Sequence, residues 1–81
     1  MGKLRHTVLD GPTYEEFFKS YRQGVYVTFK AEARYEFTCR ITDYRVEDNS
    51  GKSFLFQGVD DCDRTFNGWY HTEIHQGWIE W

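Results

Sequence analysis

Residues 34–46 read RYEFTCRITDYRV, and the fold turns on them. Tyr35, Phe37, Cys39 and Ile41 alternate with Glu36, Thr38, Arg40 and Thr42, the period-2 pattern of a strand with one dry and one wet face. The phase then slips, because the next apolar residues are Tyr44 and Val46. One extra residue near Asp43 restores the alternation, which is what a β-bulge does when it bends a long strand around a core. A long, sharply bent strand points to a small closed barrel.

The flanking sequence supplies the other elements. Thr13 followed by Glu16 is a capping box. Tyr14, Phe17, Phe18 and Tyr21 make one apolar stripe at helical spacing, and Gly24 can adopt a left-handed cap. A helix over residues 13–23 follows, and it is too short to be stable without packing its aromatic stripe on the barrel. Upstream, residues 3–9 alternate weakly and read as an N-terminal arm or edge strand, ended by Asp10, Gly11 and Pro12.

Downstream, only strands are expected. Val25, Val27 and Phe29 alternate, and residues 31–33 turn into the long strand. Residues 47–51 form a polar turn with Gly51 at a left-handed position, and residues 53–59 form a strand with Phe54 and Phe56 inward. Residues 60–64 turn again and residues 66–72 make a strand, which Tyr70, Thr72 and Ile74 carry one phase further unless residues 73–76 form a single 3₁₀ turn; residues 77–81 make a last short strand. The expected class is α+β: an N-terminal helix, then about five antiparallel strands over residues 25–81. At the level of fold this resembles an SH3-like barrel. An open antiparallel sheet with the helix on one face is the alternative. No Sm motif, ALYDY-type stretch or KOW core is present.

Eighty-one residues suit one domain. Sixteen aromatic residues outnumber the eleven Leu, Ile and Val together. Each buried aromatic removes about 150–250 Å² from water, so a few suffice for a core. No apolar run approaches the roughly 20 residues needed to span a bilayer. Residues 1–10 lack the apolar core of a signal peptide, and His6 breaks the myristoylation pattern after Gly2. The mean hydropathy is −0.76, and a cytoplasmic protein without membrane contact is expected. Cys39, on the dry phase, reads as a core thiol, and Cys62 sits among Asp60, Asp61 and Asp63. Two cysteines make no disulfide framework.

The chemistry of an enzyme is not apparent. Ser20, Ser50 and Ser53 lack a histidine nearby in sequence, and a barrel packed with rings leaves little pocket, so no catalytic residue is assigned. His71, Glu73 and His75 invite a metal reading, but on an extended strand the two histidines stand roughly 13 Å apart. The acidic run 60–63 lacks calcium-loop spacing and reads as a solvated turn. No metal or cofactor is expected.

Two binding readings remain. In the preferred one, Trp69, Trp78 and Trp81 exceed what the barrel can bury and anchor a protein partner, the competing reading being that they simply cap the barrel end. Asp60, Asp61 and Asp63 would then steer a partner of basic character. Residues 47–81 carry a net charge of −5 against +2 for residues 1–46, which disfavours a general nucleic-acid coat. In the alternative, Tyr26, Lys30, Arg34, Arg40 and Arg45 form a basic, aromatic face for nucleic acid. A second copy of the chain, joined through strand edges or tryptophans, is a third partner. In size, acidity and aromatic content the chain resembles small accessory proteins of phages and mobile elements. The expectation is a non-enzymatic protein-interaction module, a small regulator or inhibitor of a larger complex.

Overall fold

A computed structural model describes residues 4–81; Lys3, the first residue of the expected N-terminal strand, lies outside the described residues. Six strands run β1 (Arg5–Asp10), β2 (Val27–Ala31), β3 (Tyr35–Val46), β4 (Ser53–Asp60), β5 (Thr65–His71) and β6 (Gln76–Glu80). Helix α1 (Tyr14–Gln23) stands between β1 and β2, and a 3₁₀ turn, Glu32–Arg34, links β2 to β3. Every strand pairs antiparallel with its neighbour in sequence, and β1 pairs with β6 to close a barrel.

This corrects two expectations. Among the described residues the strands number six, and the helix follows the first strand instead of preceding them all. Residues 5–10 are neither an arm nor an edge. Arg5, His6, Thr7 and Val8 pair with Glu80, Ile79, Trp78 and Gly77, so the barrel starts at β1 and not at residue 25. Closure leaves no exposed sheet edge along that seam, which removes the open-sheet alternative.

The slip in β3 is a bulge. Ile41 opposes Gly58 and Asp43 opposes Gln57, leaving Thr42 as the extra residue. Its hydroxyl donates to the Gln57 carbonyl at 3.2 Å, tying the bulge to β4. Before it, Phe37, Cys39 and Ile41 point inward; after it, Tyr44 does. Val46 has the inward phase but outruns the core and is 50% exposed.

Beyond Cys39, β3 has no strand partner on the β2 side, because β2 pairs only with Tyr35–Cys39. Helix α1 covers that gap. The hydroxyl of buried Ser20 accepts the Ile41 amide hydrogen at 2.9 Å, satisfying a strand donor that β2 does not reach. Both halves of the capping box form at Thr13 and Glu16, and Gly24 takes φ 69°. Phe17 and Phe18 are buried; Phe17 stacks on Phe54 with centroids 4.8 Å apart, and Tyr14 and Tyr21 stay on the rim.

Three inward glycines shape the other wall. Gly58, Gly68 and Gly77 pair across strands with Phe66, Phe56 and Tyr70. A Cβ at Gly58 or Gly68 would sit 2.7 Å from its partner ring, so each ring occupies the space left by the missing side chain. These pairs let β4, β5 and β6 coil tightly enough to close a narrow barrel around Phe29, Phe37, Phe56 and Phe66.

The β5–β6 link is a turn, Thr72–His75, closed by the His75 amide donating to the His71 carbonyl at 2.9 Å. That is wider than the expected 3₁₀ turn, and His75 takes φ 58°. The left-handed backbone aims its ring at the β1–α1 connection. Nδ1–H donates to the Gly11 carbonyl at 2.9 Å, with the Tyr70 hydroxyl and an Asp10 carboxylate oxygen each 3.1 Å away. Burial pushes the Tyr70 pKa up, and the charges of Asp10 and Glu16 add to that. This cluster clasps the start of the helix to the last hairpin.

Candidate protein-binding face

Because register partners share a face, the pairing defines what the outside of the barrel presents. One row crosses it as Arg45, Leu55, Trp69, Trp78 and Thr7, each directly opposite the next. The adjacent row reads Asp43, Gln57, Asn67, Glu80 and Arg5. Leu55, Trp69 and Trp78 are half-buried, making an apolar stripe across three neighbouring strands. Beside it lies an open groove of about 400 Å³. Trp78 and Leu55 line it on the apolar side, Gln57 and Asn67 in the middle, and Asp43 and Arg45 at the β3 end.

Local chemistry holds this face in place. The Arg5 guanidinium lies 4.5 Å from the Trp78 ring centroid, a cation–π contact that fixes one side of the indole. Asp43 accepts the Tyr44 amide hydrogen at 2.8 Å, so its carboxylate stays beside the bulge. Gly68, with no side chain, forms part of the groove floor.

The three tryptophans do not lie together. Trp69 and Trp78 are a register pair on the outer face, whereas Trp81 packs on the core at the barrel end. Its ring lies 5.6 Å from Phe37 and 5.9 Å from Phe66, with the Arg64 guanidinium 5.3 Å above it. The expectation that all three are surplus to the core is therefore corrected: Trp81 continues the inward phase of Ile79. Its Nε1 is buried without a hydrogen-bond partner among the described residues.

The acidic steering set is also divided. Asp60 is 2% exposed, not part of a solvated turn. Its carboxylate accepts the backbone hydrogens of Cys62 and Arg64 and the Arg64 Nε–H, all at 2.9 Å. Burial alone pushes its pKa up, but those backbone donors and the guanidinium outweigh it and hold the carboxyl below the usual range. Asp61 and Asp63 remain exposed, four residues along the hairpin from Gln57 and Asn67 of the groove, roughly 13 Å, and six from Leu55 and Trp69, roughly 20 Å. Asp60 thus builds the turn, and the other two lie at the tip of the β4–β5 hairpin.

The basic set is scattered too. Lys30 stands between Glu36 and Asp10 in register. Arg34 sits in the 3₁₀ turn before β3 and Arg45 is the eleventh of that strand's twelve residues. Arg40 opposes Val59, and Tyr26, 47% exposed, precedes β2.

The extended geometry expected for His71 and His75 does not hold, since the turn runs between them. His71 Nδ1 accepts the Glu73 amide hydrogen at 3.2 Å, and His75 Nδ1 is committed to the clasp. Among the described residues, Asp60, Asp61 and Cys62 have ligand atoms within 4.8 Å of one another, but the Asp60 carboxylate already serves its own turn. Cys39 is buried, and burial followed by the charge of Asp60 pushes its thiol pKa up. Cys62 is an exposed free thiol.

Comparison with family models, curated proteins and solved structures finds no significant match to this chain. Among the described residues no helix is long and apolar enough to cross a membrane.

Proposed function

We propose that this chain is a non-enzymatic protein-interaction module, a small regulator or inhibitor of a larger complex, and that it binds through the outer face of β3, β4, β5 and β6. The observation that carries the reading is the Trp69–Trp78 register pair beside an open groove. Tryptophans held half-buried on a rigid sheet lose little freedom on binding and make strong anchors. The buried thiol of Cys39 and the engaged Nδ1 atoms of both hairpin histidines support a binding role over a catalytic one.

A basic partner is no longer favoured, since Asp60 is internal and Asp61 and Asp63 lie away from the groove. The nucleic-acid reading loses support because Arg34 lies in the 3₁₀ turn before β3 and Arg45 beyond the bulge, while Lys30 stands between Glu36 and Asp10 in register. As architecture, the proposal keeps the SH3-like barrel, supported by the bent β3 and the turn before the last strand, with β1 added as the closing strand.

The test is affinity capture from a lysate of the source cells, with half of each sample nuclease-treated, for the natural protein and Trp78→Ala. A protein partner that survives nuclease and is lost with Trp78→Ala supports the proposal, given an unchanged circular dichroism spectrum. A partner released by nuclease, or retained by Trp78→Ala, contradicts it.

A further inference from the structure

We infer that the groove takes an extended, uncharged peptide segment and holds it by its main chain. The inference rests on the protein-binding reading above and specifies its ligand. Its basis is the charge pattern of the two outer rows. Arg45 has Asp43 two residues away on the same strand and face, and Arg5 directly opposes Glu80. The β3 end of the groove therefore carries one positive and one negative group. Glu80 and Arg5, opposed in register beyond its β6 side, continue the same balance, so the rows offer no net field to an acidic or a basic segment. Such paired charges reject a charged ligand by placing a like charge beside it, at little cost to a neutral one.

Between these ends, Gln57 and Asn67 are exposed and directly paired across β4 and β5. Each carboxamide offers a donor and an acceptor, the complement of one peptide residue's C=O and N–H. Two carboxamides side by side are suited to a main chain, whose polar groups recur regularly whatever the side chains. Trp78 and Leu55 flank them and supply the apolar contact for one uncharged side chain of the segment. From β3 to β6 the groove crosses three strand spacings, roughly 14 Å, which accommodates about four extended residues.

The experiment pans a phage-displayed random dodecapeptide library against the full-length protein. The enriched peptides are synthesised and titrated by fluorescence anisotropy, with a twelve-residue oligothymidylate and maltohexaose as further probes. The expected peptides share a window of about four uncharged residues. Gln57→Ala combined with Asn67→Ala should weaken them at least about tenfold with little change in Tm, because both side chains are exposed. Methylating main-chain nitrogens within the window should weaken them similarly. Charged residues enriched in the window overturn the inference, as does unchanged affinity in the double variant. Failure to enrich any peptide, or Trp78-dependent binding of the oligonucleotide or oligosaccharide, also overturns it. If the carboxamides prove irrelevant while Trp78→Ala still loses the captured protein, this inference fails and the protein-binding reading stands. If Trp78→Ala changes neither, both fail.

Discussion

Replacing Asp60 tests whether one buried carboxylate organises the β4–β5 turn. Asp60→Ala removes the acceptor for two backbone N–H groups and for Arg64 Nε–H. Hydrogen bonds to a charged group contribute about 1.5–3 kcal/mol each. The Arg64 side chain is 62% exposed, so its ion pair is discounted to below about 1 kcal/mol. The two backbone bonds then dominate, and the expected loss is about 3 kcal/mol. For a domain of this size that lowers Tm by roughly 12–24 °C. Asp60→Asn keeps a carbonyl acceptor without the charge and should cost about half as much. Arg64→Ala should cost under about 1 kcal/mol. Urea unfolding followed by tryptophan fluorescence measures all three. The pH dependence supplies a sign. The folded-state pKa is lowered, so the charge-dependent stabilisation is complete above the unfolded value of about 3.9 and is lost as pH falls through the folded value. The gap between natural protein and Asp60→Ala should hold from pH 7 to 5 and narrow below pH 4. A gap under about 1 kcal/mol at pH 7, or one that stays constant down to pH 2.5, refutes the reasoning.

Four further substitutions probe the packing and the backbone. Phe17→Ala empties a fully buried site between Phe54 and Phe56 and should cost about 3–5 kcal/mol; an unchanged Tm would mean the helix does not dock. Ser20→Ala strands the Ile41 amide hydrogen and should cost about 1–3 kcal/mol, read by the same unfolding assay and by faster hydrogen exchange at Ile41. At Gly77 a Cβ would fall 2.0 Å from the Trp69 carbonyl oxygen, an atom of a central strand that cannot retreat. Gly77→Ala should therefore prevent folding, whereas Gly24→Ala, strained at φ 69° but with open space around it, should cost only about 1 kcal/mol; similar Tm values for the two would contradict this.

Much of this was legible where local chemistry and burial coincide. The slip after Ile41 announced the bulge, and Thr13 with Glu16 announced the helix, because both signals act over a few residues. Strand β1 was harder to read since Val8 is its only buried residue, and its role depends on β6, some seventy positions later. Asp60 misled in the opposite direction: a polar residue in a turn reads as wet until its backbone partners are known. An Asp followed four residues later by Arg, across a tight turn, was the available hint at Asp60. The candidate site was partly readable from phase alone. Trp69 alternates with Phe66, Gly68 and Tyr70, and Trp78 lies out of phase with Ile79, so both belong outside, while Trp81 shares the phase of Ile79. The groove itself was not readable, because it arises from the pairing of four strands and from the bulge that bends one of them.

The central claim, that the outer face of β3 to β6 is the contact surface, is tested most directly by site-resolved photocrosslinking in the source cells. A photoreactive phenylalanine analogue replaces Arg45 at the rim of the groove, or, as controls, Lys19 on the exposed side of α1 and Asp61 in the distant turn. The account predicts a discrete protein adduct from position 45 that resists nuclease and disappears when Trp78→Ala is added, with none from positions 19 or 61. Adducts confined to position 61 or 19, or a nucleic-acid adduct at position 45, would contradict it.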